Sequence, residues 1–80
     1  MDREAVKKVL GMALREMREE RALTQAQLGS LMGMDSAYLA VLEAGKKMPS
    51  LAMIMRLADG LGVPPEELVN RIARKLEDFR

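Results

Sequence analysis

From Thr24 to Gly45 the chain spells out two short helices and the turn between them, and that stretch leaves the rest of the sequence few folds to choose from. Thr24 carries a side-chain oxygen that can cap a helix by accepting a backbone N–H. Leu28, Leu31 and Met32 follow at spacings that give this helix one apolar face. Gly33 supplies the left-handed residue that ends it. Asp35 then caps a second helix, whose inward residues are Tyr38 or Leu39 together with Leu42 and which Gly45 stops.

Two helices joined by a tight turn containing glycine make a helix-turn-helix unit, whose second helix can lie in the DNA major groove. An ordered string of further residues extends the pattern: Leu14-Arg15, Arg18, Thr24-Gln25, Leu28-Gly29, Gly33, Leu39, Leu42-Glu43, Gly45-Lys46, Pro49-Ser50, Leu57-Ala58, Leu61-Gly62-Val63 and Leu68. On these residues the chain resembles the Cro/repressor (XRE-like) helix-turn-helix family, from about Gly11 to Val69. The resemblance implies an all-α, five-helix repressor-like domain whose helices two and three cross steeply. It says almost nothing about which DNA sequence is preferred.

The flanking segments supply the remaining helices. Val6, Val9, Leu10, Ala13, Leu14 and Met17 recur at three- and four-residue steps and predict a helix from about Arg3 to Arg21. Lys7, Lys8, Arg15 and Glu19 lie off that stripe as a solvated face, and Met12 widens the apolar surface sideways. Pro49 holds Met48 extended, so the chain turns into Ser50 as the cap of a fourth helix over about Leu51 to Leu61. Leu51, Ile54, Leu57, Ala58 and Leu61 are its expected core face, Met53 and Met55 add packing surface, and Gly62 ends it. Pro64-Pro65-Glu66-Glu67 opens a fifth helix, since proline is tolerated in a first turn and carboxylates suit the positive end of the helix dipole. With no repeat or linker in view, residues 1–80 read as a single helix-turn-helix domain, the motif at 25–44 and the fifth helix at about 65–78.

Catalysis has little to work with. The chain has no Cys and no His, so the usual general base, the thiolate nucleophile, a disulfide framework and the common zinc ligands are missing; no enzyme, metal, cofactor or small-molecule ligand is expected. Apolar residues make up 49% of the chain with only one Tyr and one Phe, which calls for an aliphatic, Met-rich core of packed helices. The longest apolar run, Ala37 to Leu42, is far short of the roughly 20 residues that span a membrane, and Met1-Asp2-Arg3-Glu4 does not begin a secretory signal. A cytoplasmic protein is the expectation.

Thirteen basic and twelve acidic residues leave a formal net charge of +1, weak for a chain that must neutralise phosphates, so placement matters more than sum. Between Thr24 and Ser50 the ionised groups are Asp35, Glu43, Lys46 and Lys47, and the basic end of the segment is its loop. The family resemblance implies that Arg18 pairs with Glu43, tying the first helix to the recognition helix. It also implies that Ser36, Ala37 and Val41 face base edges beside Tyr38, that Thr24 and Gln25 stand near a phosphate, and that Lys46 and Lys47 reach the DNA backbone. Here the sequence departs from the family: the base-reading places usually hold side chains that hydrogen-bond purines, whereas Ala37 and Val41 can only touch thymine methyl groups.

The leading expectation is therefore a sequence-specific, DNA-binding transcriptional regulator, a repressor, that inserts the 36–44 helix into double-stranded DNA as a homodimer. The alternative is a protein-interaction module on the same scaffold, suggested by the apolar recognition helix. Val69, Ile72, Leu76 and Phe79 recur at steps of three, four and three along the fifth helix, an apolar stripe beyond what a monomer needs. It either folds back onto Val6, Val9 and Met12 or meets a second copy across a two-fold axis, the preferred outcome.

Overall fold

A computed structural model describes residues 1–79. These form α1 (Arg3–Glu20), α2 (Gln25–Met32), α3 (Ser36–Glu43), α4 (Leu51–Leu61) and α5 (Pro65–Asp78), with no strand among the described residues. The boundaries follow local chemistry. Asp2, Thr24, Asp35 and Ser50 each accept a backbone N–H from the first turn of the helix they precede. At α2 the cap is reciprocal: Thr24 Oγ1 accepts from Gln27 N–H at 3.0 Å while Gln27 Oε1 accepts from Thr24 N–H at 2.8 Å. Gly33, with φ 67°, closes α2 in the left-handed region that side chains with a Cβ avoid.

One core joins the helices. Val9, Leu10, Ala13, Leu14 and Met17 of α1 meet Leu28 of α2, Leu39 and Leu42 of α3, Ile54, Leu57, Ala58 and Leu61 of α4, and Val63, Leu68 and Ile72. α1 is central, packing against both α3 and α5, while α2 bridges α3 and α4. Where α1 crosses α3 the backbones nearly touch. A Cβ on Gly11 would sit 2.5 Å from the Leu42 carbonyl oxygen and 2.7 Å from that of Glu43, so α3 can seat at this depth only against a glycine.

Three expected faces are corrected. Leu31 is 64% exposed, because α2 lies against α3 and α4 through Leu28 and Met32, and Leu31, a turn-fraction away, points off that seam. Leu51, expected in the core of α4, is 73% exposed: it is the first residue of its helix and projects past the neighbours that cover Ile54, Leu57, Ala58 and Leu61. Of the two methionines expected to add packing surface on α4, Met55 is exposed and Met53 packs on the core.

The α5 stripe divides. Ile72 is buried and Leu76 packs on the core, in line with buried Leu68 at four-residue steps, whereas Val69 and Phe79 stay about half exposed. Ile72 is thus taken by its own chain, and Leu76 is partly covered by it. The reason is charge as well as shape: Arg71 bonds Glu20, and Lys75 bonds Glu16, so ion pairs flank the apolar row and hold α5 antiparallel along α1.

Candidate nucleic-acid interface

The placement of α3 is set from its inner side. Leu39 and Leu42 are fully buried, and Glu43, the last helical residue, turns its carboxylate toward α1. There Arg18 grips it with two donors, Nε to Oε2 at 2.7 Å and Nη2 to Oε1 at 2.9 Å, while Nη1 donates to the Leu23 carbonyl at 2.7 Å. Gln25 Nε2 adds a bond to Glu43 Oε1 at 3.0 Å. A planar fork on a carboxylate fixes direction as well as distance. The two side chains keep only 10% and 5% of their surface exposed.

Burial pushes the Glu43 carboxyl up, but hydrogen bonds from Arg18 and Gln25 and the charges of Arg18 and Arg15 outweigh it, leaving the group below its usual range. The hydrogen bond to Glu43 raises Arg18 further, against its own burial. The pair therefore stays charged, and with Gln25 it holds four pieces of the chain together: α1, the loop at Leu23, the start of α2 at Gln25 and the end of α3 at Glu43.

Locally, the turn into α3 is closed by Asp35 Oδ1 accepting from Ala37 N–H at 3.0 Å. The turn out of it is a double hydrogen bond, Gly45 N–H to Leu42 O and Lys46 N–H to Val41 O, around Gly45 at φ 73°. That motif fixes where the lysine loop leaves the helix, and buried Pro49 anchors its far end.

With the inner side committed, the outer side of α3 consists of Ala37, Ala40, Val41 and Ala44, all exposed, flanked by half-buried Ser36 and Tyr38. Lys46 and Lys47 are exposed beside it, and Lys47 Nζ lies 5.2 Å from the centre of the Tyr38 ring. Thr24, Gln25 and Ser36 line one shallow open groove between the starts of α2 and α3. The residues expected to meet DNA thus fall into two groups, that groove and the outer strip of α3 with its lysine loop.

Thr24 uses its hydroxyl oxygen and its N–H in the α2 cap, and Gln25 gives one amide hydrogen to Glu43, so both expected contact residues also hold the local structure. Sequence reasoning missed the Gln25–Glu43 bond and the Tyr38–Lys47 contact, because both join residues from different elements. It also overlooked that several cations are structural: Arg21 donates to the Leu61 carbonyl at 2.7 Å and Arg56 to the Met32 carbonyl at 3.0 Å.

Comparison with known proteins places this geometry among others. Residues 9–71 match the family described as a helix-turn-helix domain. The chain is 34% identical over 64 residues to the HTH-type transcriptional regulator y4dJ of Sinorhizobium fredii, an alignment covering 80% of this chain and 83% of that one. It is 42% identical over 60 residues to the HTH-type transcriptional repressor RghR of Bacillus subtilis, covering 74% of this chain and 44% of RghR, so it spans less than half of that repressor. Among solved structures, the restriction-modification controller protein C.AhdI of Aeromonas hydrophila superposes with a TM-score of 0.74 at 37% identity, over 78% of this chain and 94% of C.AhdI.

Proposed function

The chain belongs to the helix-turn-helix domain family of transcriptional regulators, and on that premise we propose that it binds specific DNA sequences as a homodimeric repressor, with α3 in the major groove. The observation that carries the reading is the division of α3: an inner face held by Arg18 and Gln25 and seated on Gly11, and an outer strip of small side chains bordered by two exposed lysines.

In this reading Ser36, Ala37 and Val41 approach base edges. Serine can hydrogen-bond a base, while Ala37 and Val41 contact thymine methyls, which discriminate less than a bidentate pair. DNA shape and the spacing of two half-sites supply the rest of the preference. Lys46 and Lys47 meet phosphates, and the first-turn N–H groups of α2, beside Thr24 and Gln25, receive another. Residues 1–80 act as one domain, and the dimer forms through surface that includes exposed Val69. Repression is preferred over activation because covering a promoter needs no second surface, and a cytoplasmic location goes with it. The named relatives are regulators of transcription rather than enzymes.

Selection of bound duplexes from a random pool tests the proposal. An enriched inverted repeat is expected, with half-sites about 10 bp apart centre to centre. Its affinity should fall with salt along a slope of about −3 to −4 in log–log form, the contribution of two lysines from each of two protomers. A pool that yields no preferred sequence, with no salt dependence, would leave the protein-interaction reading instead.

A further inference from the structure

Lys46 and Lys47 are adjacent, exposed and alike in charge, yet the structure treats them differently. Lys46 is tied at its backbone by the bond to Val41 O, and among the described residues its ammonium has no ion-pair partner. Lys47 has none either, but its ammonium sits over the face of Tyr38 at 5.2 Å, inside the range of about 6 Å in which an aromatic ring attracts a cation.

The ring is a firm platform. Tyr38 is the only tyrosine in the chain, half-buried and packed against the core next to fully buried Leu39. It lies in the first turn of α3, and helical side chains lean toward the N-terminus of their own helix. Lys47 issues from the loop beyond the other end of α3. To reach Tyr38 its side chain must lie back along the helix, which brings the charge to a ring that belongs to the first turn of α3 rather than leaving it out past Ala44.

The choice of an aromatic partner matters. A carboxylate would fix the lysine but cancel its charge. The acidic residues of this segment are committed elsewhere, Asp35 to the α3 cap and Glu43 to the Arg18 clamp. A ring restrains the ammonium and leaves its full charge for a phosphate. A restrained lysine also has less rotamer freedom left to lose on binding.

The geometry points to Tyr38 as a positioning residue for DNA binding, holding Lys47 as a pre-placed phosphate contact next to the base-reading turn of α3. This rests on the DNA-binding reading above. The test is a double-mutant cycle on the selected duplex and on an unrelated one, with melting temperature measured for every variant. Tyr38→Leu should weaken binding about two- to fivefold on both duplexes, the range of an exposed cation–π contact. Tyr38→Phe should keep affinity, and in a Lys47→Ala background Tyr38→Leu should cost nothing more. NMR of the free protein should show the Lys47 side-chain methylene protons moved upfield by the ring, a readout that stands even if the leucine variant unfolds. Equal losses with and without Lys47, a phenylalanine variant as weak as the leucine one, or unshifted Lys47 protons would each overturn the role of Tyr38 while leaving DNA binding intact. A wild-type chain that binds neither duplex overturns both.

Discussion

On its inner side α3 presents Leu39 and Leu42 without any exposed surface and a Glu43 carboxylate bonded by Arg18 and Gln25; on its outer side the same eight-residue helix presents Ala37, Ala40 and Val41 to solvent with no hydrogen-bonding group of their own. The inner face is determined several times over, by apolar burial, by a bidentate ion pair and by a backbone approach that admits only glycine. The outer face is determined by almost nothing inside the molecule. A recognition surface of this kind can change its residues without changing its aim, because aim resides entirely in the opposite face.

The largest expected effect comes from removing one half of the clamp. Arg18→Met strands a buried carboxylate and should cost about 3–5 kcal/mol, most of the stability of so small a domain. The double variant Arg18→Met/Glu43→Leu should recover much of that loss in urea unfolding. If the double variant is as unstable as the single one, the penalty is lost packing rather than stranded charge.

Gly11→Ala comes next. The new methyl would meet the Leu42 and Glu43 carbonyl oxygens, which belong to backbone and cannot swing away, so α3 must lift. A loss of about 1–3 kcal/mol is expected, with weaker DNA binding than the loss of folded protein alone explains. Unchanged stability would mean that the inner face tolerates a wider gap than its geometry implies.

A smaller, graded effect should appear with pH. Glu43 titrates lower in the folded chain than its ordinary 4.5. Its contribution to stability is therefore complete above the unfolded value and drains away as pH falls through the folded one. Glu20, lowered mainly by its bond from Arg71, adds to the same trend from the exposed α1–α5 seam. Glu43→Gln should flatten the acid limb of a stability-versus-pH curve more than Glu20→Gln does. Equal flattening by the two would remove the distinction between buried clamp and exposed seam.

The outer face should respond least. Val41→Ala is expected to shift stability by no more than about 0.5 kcal/mol, while changing preference at one base position of the selected site. Lys46→Ala should instead weaken all duplexes alike and lower the salt slope by about one per protomer. Should both variants change preference in the same way, the division between base-reading strip and phosphate loop fails.

The helix boundaries were legible in the sequence, and so was the Arg18–Glu43 pair through family resemblance. Thr24, Asp35 and Ser50 as caps, Gly33 and Gly62 as stops and Pro65 as a first-turn residue all act within a few residues of backbone, so local order is enough to place them. The periodic rows of α1 and α4 likewise named most of the core. Which apolar residues end up covered could not be read in that way. Leu31 and Met32, or Val69 and Ile72, are neighbours on helices that offer more apolar positions than adjoining helices can cover, and only the positions of α1, α3 and α4 choose between them. The same holds for polar partners: Gln25 turns to Glu43 and Lys47 to Tyr38 because packing brings them together across elements. Sequence determines what each helix can offer, since caps and period are local; tertiary structure decides what is used, since burial and pairing belong to two surfaces at once.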